Sequence, residues 1–267
     1  MANMVSSTPD IARVVVAFDA SGVSAPVLQL AAGLAVCLRS TLAGLYVEDE
    51  RLMRVAALPF SREIDLISGT QRRVSPDSLR HGLQAQASRM RRELAALAEP
   101  LSLRWTLDIV QGELRSTSLA LTTATDLLIL GEAPWFPLPA PAQRGSAARW
   151  TPASLARHPV AVVLDESDSA YHALAMARTL VELTGSDLVV FIAAADADTF
   201  RRRHADAARR LGALDARTRY LQLRDHNWDA IVQAALMQQT VAIIRPRSDG
   251  LENTTARRLA CPVVLIP

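Results

Sequence analysis

The sequence predicts an α/β protein made of two tandem units, each an open parallel sheet with helices on both faces. Three observations lead there. The chain has 267 residues, more than a usual single domain. Half of its residues are hydrophobic but only 4% are aromatic, so Ala, Val, Leu and Ile must fill the interior, as in buried parallel strands and the helices that cover them. Finally, the pattern that opens the chain restarts: Val160 to Asp165 with Ser167 repeats Val14 to Asp19 with Ser21. The units are therefore placed at residues 11–157 and 158–267, each expected to have its own core.

In the first unit a polar leader over residues 1–10 precedes Arg13 to Asp19, a buried strand ending in a carboxylate. After the small-residue turn Ala20 to Ser24, the residues Val27, Leu28, Ala31, Leu34, Ala35 and Leu38 recur at helical spacing. Leu42 to Val47 reads as the second strand. The stretch from Glu48 to Gly69 is acidic and then apolar, which suggests an inserted helical segment broken near Pro59. A long helix from Ser78 to Ala98 leads to an edge strand over Leu101 to Val110, a short helix, and a fourth strand over Asp126 to Gly131. Four prolines between Pro134 and Pro141 make a stiff extended loop, and Gly145-Ser146 opens the next helix.

The second unit repeats the alternation. Its helices are expected over Ser169 to Leu183, Asp198 to Leu211, Trp228 to Gln238 and Leu251 to Ala260. Its strands are expected over Val160 to Asp165, Asp187 to Ala193, Arg217 to Leu223, Val241 to Ile244 and Val263 to Ile266. Alternation of this kind implies parallel strands joined by right-handed crossovers.

The formal charge is +2, and every cation is arginine, since the chain has no lysine. Arginines cluster between Arg72 and Arg115, but acidic and apolar residues interleave and aromatics for base stacking are missing, so a solvated helix flank explains them and no nucleic acid is expected. Cys37 and Cys261 lie far apart among apolar neighbours, as in a reducing compartment. The first ten residues show no secretory pattern and no apolar run reaches about 18 residues. No membrane partner and a cytoplasmic location are expected.

The chain resembles the universal stress protein family. The residues that carry the likeness are Asp19-x-Ser21 after the first strand, Leu45-Tyr46-Val47 ending the second, Asp126 to Gly131 as the fourth, Gly145-Ser146 opening a helix, Asp165-x-Ser167, and Cys261 to Pro267 at the end. The resemblance covers nearly everything from Arg13 onward. It implies Rossmann-like units of strand order 3-2-1-4-5, a role in the stress response as a sensor or adaptor, protein partners in stress signalling, and ATP or another adenine nucleotide as ligand. Members that bind ATP hold the adenosine near the first-strand Asp and the end of the second strand, and the phosphates and ribose in a Gly-x2-Gly-x9-Gly-Ser/Thr loop. Carried over, the site comprises Asp19, Ala20, Ser21, Val47, Leu130, Gly131, Gly145 and Ser146. Ligands of open α/β sheets sit beyond the carboxyl ends of strands where the strand order reverses, in keeping with that placement.

Two departures bear on the site. Pro134 replaces the loop's second glycine, and Gly145 lies one residue further on, with Glu132 close by to repel phosphate. A loop that merely closes the sheet is the alternative reading. In the second unit, Arg245-Pro246-Arg247 follows Ile244 with no glycine; Arg245 is expected to fill the space equivalent to Gly131 and to pair with Asp165, and no nucleotide is expected there. No phosphate-binding Gly-x4-Gly-Lys loop, dinucleotide fingerprint or nucleophile elbow is present. The five histidines show no metal spacing, so neither a metal site nor a catalytic constellation is expected. A weak nucleotide hydrolase and a ligand-free interaction module remain the alternatives. A homodimer is expected because the apolar strand Val263 to Ile266 would otherwise leave an open edge, which family members close across a two-fold.

Overall fold

The computed structural model describes residues 11–20, 22–23, 25–64, 69–130, 159–165, 167–224, 227–240, 242–247 and 262–266. Valine-rich β1 (Arg13–Phe18) starts the first unit and is buried from its second residue onward. It is followed by α1 (Ala25–Cys37), β2 (Thr41–Glu48) and α2 (Glu50–Ala56), the last capped by Asp49. Next come two three-residue strands, β3 (Arg62–Ile64) and β4 (Gln71–Arg73), paired with each other as an antiparallel ribbon. Among the described residues the inserted segment is thus helical only in its first half. Helix α3 (Pro76–Ala98) begins on a capping box between Ser75 and Ser78 with Pro76 in its first turn. The unit continues with β5 (Trp105–Gln111), α4 (Leu114–Leu121) and β6 (Asp126–Leu130).

The second unit runs β7 (Val160–Leu164), α5 (Asp168–Thr184), β8 (Leu188–Ala193), α6 (Ala197–Leu211), β9 (Thr218–Leu223), α7 (Trp228–Met237), β10 (Ala242–Pro246) and β11 (Val263–Ile266). Each of its described helices starts on a side-chain cap: Ser167, Asp196 and Asn227 accept hydrogen bonds from backbone N–H groups of the first turn. Gly185 ends α5 in the left-handed conformation at φ +72°, donating its N–H to the carbonyl of Val181.

Nine strands form one sheet, in the order β5-β2-β1-β6-β11-β10-β7-β8-β9. The second unit alone shows the order 3-2-1-4-5. The first shows 3-2-1-4 among the described residues, and the place beside its fourth strand is taken by β11, which pairs antiparallel with β6 while running parallel to β10. Strands of the two units therefore run in opposite directions, and their carboxyl ends open at opposite ends of the sheet.

Two expectations change. The last strand is interior, so the open edge on which the homodimer rested is closed within the chain; the outer strands are β5 and β9. The cores are also divided by sheet face, not by unit. One apolar cluster joins Val14, Phe18 and Leu34 to Val162, Leu174 and Ile192, and the other joins Val15, Leu45 and Leu128 to Val163, Phe191 and Ile231. Once β11 bridges the units, each face is continuous and one layer of side chains covers it from end to end. The expected boundary between 157 and 158 lies outside the described residues.

Candidate functional site: two clefts at opposite ends of one sheet

At the first strand end Asp19 follows Phe18, and the chain turns at once. The N–H of Gly22 donates to the Asp19 carbonyl at 2.9 Å. Gly22 sits at φ +84°, where a side chain would be strained and would also meet the Gln86 amide of α3. Tyr46 lies opposite Phe18 in the ladder, with ring centroids 5.7 Å apart. It is wholly buried, and its hydroxyl has no hydrogen-bond partner among the described residues. Burial, reinforced by the charges of Glu48 and Asp19, pushes its pKa up to about 12, so the phenol is a neutral donor at neutral pH. Of the predicted site residues, Asp19, Ala20, Val47 and Leu130 come to this one end of the sheet. The side chains of Val47 and Leu130 are taken up by the core. Ser21, Gly131, Gly145 and Ser146 lie outside the described residues.

The second cleft opens beyond β7 and β8. The ladders pair Val14 with Leu42 and Val160 with Leu188, so Asp165 stands where Asp19 does. By the same register Ala193, Ala194 and Ala195 replace Val47, Glu48 and Asp49. Three alanines leave room, and a cavity of about 470 Å³ lies there, its polar wall made by Asp165, Ser167, Asp196, Thr199, Arg203 and Arg224. Asp165 accepts from the backbone N–H and hydroxyl of Ser167 at 2.8 and 2.5 Å. Asp196 accepts from the N–H groups of Asp198 and Thr199 and from the Thr199 hydroxyl, and these hydrogen bonds, led by the Thr199 N–H, hold its pKa below the usual carboxylate range. Arg203 donates to the Ala193 carbonyl, which pins its guanidinium to the cavity wall.

Arg245 is not where the sequence puts it. Leu127 pairs with Val14 and Ala242 with Val160, which makes Arg245 the counterpart of Leu130 and Pro246 that of Gly131. The Arg245 guanidinium lies 5.3 Å from the centre of the Trp228 ring, half-buried on the α7 side. Burial lowers its pKa and the charge of Asp165 works against that. A second cavity, about 350 Å³, lies away from both strand ends, between Arg13, Gly44 and Asp108 of the first unit's sheet and Thr122 after α4.

No protein-family model and no curated protein matches this sequence. Comparison of structures is informative. Over 94% of this chain and 95% of the other, the fold superposes with a TM-score of 0.53 at 14% identity on a universal stress protein from Archaeoglobus fulgidus DSM 4304. This is the universal stress protein fold, in tandem. Shorter matches, each covering 41% of this chain at 22% identity, are a universal stress protein in complex with cAMP, with a TM-score of 0.35 over 96% of that chain, and a member of the same family from Burkholderia pseudomallei, with 0.36 over 95%.

Set on the universal stress protein fold, the sequence reading places its candidate site at the first strand end and passes over the polar wall of the second. Arg203 and Thr199 are one helical turn apart on α6 after the Asp196 cap, a spacing that puts both on the face nearest the strand ends. Arg224 follows β9 as Asp165 follows β7. These are the signals that would have located the cavity. Among the described residues no group of three or more His, Cys, Asp or Glu side chains is placed to hold a metal ion, and no helix is long and apolar enough to cross a membrane.

Proposed function

We propose that this chain is a stress-response adaptor that senses an adenine nucleotide in its first cleft. The observation that carries the reading is the Tyr46 hydroxyl, a fully buried donor left without a partner among the described residues beside Asp19 and Glu48. A buried polar group without a hydrogen bond costs about 1–3 kcal/mol, and a bound ligand would remove that cost. Asp19 and Glu48 offer acceptors suited to the hydroxyls of a ribose or the exocyclic amine of a base. Gly131, Gly145 and Ser146 are the residues expected to meet the phosphates. In this reading the chain binds its nucleotide and passes the bound state to a protein partner without turning the ligand over; hydrolysis is the alternative.

Calorimetry with ATP, ADP and AMP on ligand-stripped protein tests the site. Micromolar binding is expected, equivalent to about 8 kcal/mol. Asp19→Ala should abolish it, and Tyr46→Phe should weaken it roughly fivefold, the value of one hydrogen bond. Binding lost in Asp165→Ala but kept in Asp19→Ala would move the nucleotide to the other cleft. No binding at millimolar nucleotide would leave the ligand-free interaction module, and phosphate released on incubation would establish the hydrolase.

A further inference from the structure

We infer that the cavity at the end of α4, in the first unit, is a site for a small organic cation, an ammonium or amidinium group on an apolar body. The cavity measures about 350 Å³, within the usual range for small-molecule sites of roughly 300–1,000 Å³. The short α4 leaves room for it. That helix has eight residues and ends at Leu121, and the sheet face on which it packs presents Val15, Ala43 and Leu45 to the cavity as an apolar floor. Ile109 and Leu121, each about half exposed, line it too.

Two charged groups stand on the wall, Arg13 and Asp108, and they are not equivalent. Arg13 is committed, because two of its nitrogens donate to the buried Asp126 carboxylate at 2.8 and 2.6 Å. Arg13 and Asp126 thus cancel as a pair. Arg247, the other cation near Asp126, does not line the cavity and donates to the carbonyls of Thr123 and Asp126. Asp108 is exposed and makes no hydrogen bond or salt bridge among the described residues; Arg13 feels its charge only at longer range. The Thr122 hydroxyl gives its proton to the Ser118 carbonyl at 2.8 Å, so towards a ligand it too is an acceptor. The carboxyl-terminal end of α4 adds to these: it lies at the cavity and has no basic residue in its last turn, and helix C-termini favour positive charge.

The second unit supplies an internal control. By register Ala161 and Val189 replace Val15 and Ala43, the same two side chains exchanged. The difference lies further along, where Leu45 faces Asp108 in the first unit and Phe191 faces Leu221 in the second. Phe191 is wholly buried and Leu221 packs against the apolar cluster on that face. Ring and leucine take up volume that the first unit leaves open. Aspartate is disfavoured within strands, yet Asp108 stands in the middle of β5 where the matching strand has a packing leucine.

The test is titration of the isotope-labelled full chain, followed by amide NMR, with benzylammonium, benzyl alcohol and benzoate at constant ionic strength. The three probes share a ring and differ in charge. Benzylammonium should bind at about 1 mM, benzyl alcohol roughly tenfold more weakly, and benzoate least, with shifts centred on Gly44, Asp108 and Thr122. Asp108→Asn should weaken benzylammonium roughly tenfold, the effect of losing a charge-assisted hydrogen bond, and leave benzyl alcohol nearly unchanged. Leu45→Phe, which writes the second unit's ring into the first, should remove binding of both. Glu99→Gln, at an exposed carboxylate outside the cavity, should change nothing. The inference is overturned if benzylammonium does not bind at about 10 mM, if benzoate binds as tightly, or if the shifts centre away from β2, β5 and the end of α4. It is equally overturned if Asp108→Asn binds like the parent or if Glu99→Gln loses as much as Asp108→Asn. Should Leu45→Phe prove unstable by circular dichroism, the Asp108→Asn and Glu99→Gln pair decides alone.

Discussion

Asp19 and Asp165 stand at the same point of the same supersecondary unit, one residue beyond a buried central strand, yet their surroundings differ in kind. Around Asp19 the register places Phe18, Tyr46, Val47 and Glu48; around Asp165 it places Leu164, Ile192, Ala193 and Ala194. One end is aromatic and acidic, with a buried hydroxyl that lacks a hydrogen-bond partner among the described residues. The other is aliphatic and opens on a cavity walled by two aspartates and two arginines, Asp165, Asp196, Arg203 and Arg224. The backbone is shared and the side-chain chemistry is not, because a strand end fixes where a side chain stands and leaves its chemistry free. The antiparallel join of β6 and β11 turns the two clefts to opposite ends of the sheet, so each can be changed without touching the other.

The sharpest asymmetry lies at the other end of the central strands. In the first unit Arg13 opens β1 and Asp126 opens β6, and the ladder pairs them. The Asp126 carboxylate, 1% exposed, accepts from two Arg13 nitrogens at 2.8 and 2.6 Å and from the N–H and hydroxyl of Thr123. In the second unit Pro159 holds the position that corresponds to Arg13. Asp126→Ala should therefore cost about 3 kcal/mol in urea unfolding, since it strands several donors at once. Burial pushes the Asp126 carboxyl up, but the hydrogen bonds from Arg13 and Thr123 outweigh it and bring its pKa down to about 2. Its unfolded value is near 4. A depressed carboxyl contributes stability that is present above the unfolded pKa and lost as pH falls through the folded one. Roughly 2–3 kcal/mol should thus disappear between about pH 4 and pH 2, and Asp126→Asn should flatten that part of the profile. An unchanged acid limb in Asp126→Asn would show that the pair does not distinguish the units energetically.

The join between the units carries the next effect. Arg247, just past β10 of the second unit, donates to the carbonyls of Thr123 and Asp126 in the first at 3.0 and 2.6 Å. Arg247→Ala should cost about 1–2 kcal/mol, concentrated at the seam. Amide exchange is expected to quicken in Val264 and Leu265, which face Ile129 and Leu128 across the antiparallel pair, and to stay slow in β8. Equal quickening throughout would mean that the nine strands open as one unit and that the seam is no weaker than the rest.

Much of this was legible in the chain because β1, β2, β6, β7 and β8 are continuous apolar runs between clear helical repeats. Their order followed from the resemblance. What escaped had no periodic signal. The ribbon of β3 and β4 is written Arg-Glu-Ile and Gln-Arg-Arg, polar strands too short to alternate. The apolar run Val263 to Ile266 announces a strand but not its neighbour, and whether it pairs inside the chain or across a two-fold depends on which edge the first unit leaves open. The candidate site of the first unit is named from Asp19 because Asp19, Ala20 and Ser21 lie together at one turn in the sequence. The second cleft is assembled from three separate segments, with Arg203 reaching in from a helix and Arg224 from the far strand, and only the sheet register brings them together.

The smallest expected effect concerns the segment that the second unit does not have. Between β2 and α3 the first unit inserts α2 and the β3–β4 ribbon, whereas the second passes from β8 to α6 within a few residues. Leu52, Val55, Leu58, Phe60 and Ile64 of this insertion are exposed, Phe60 at 90%, while Phe191 in β8 is wholly buried. The insertion is held by its own bonds, such as the Ser61 hydroxyl to the Val55 carbonyl and the Val74 N–H to the Ser61 carbonyl, and by the Arg51–Glu113 contact at 3.3 Å, which is exposed on both sides and contributes little. Phe60→Ser removes no buried area and breaks no hydrogen bond, so thermal or urea unfolding should place it within about 0.5 kcal/mol of the parent. Phe191→Ser should cost about 4 kcal/mol through the cavity and the buried hydroxyl it creates. If Phe60→Ser instead destabilises the protein by an amount approaching that, the ring is covered in solution, and the insertion belongs to the core of the first unit and is not an appendage to it.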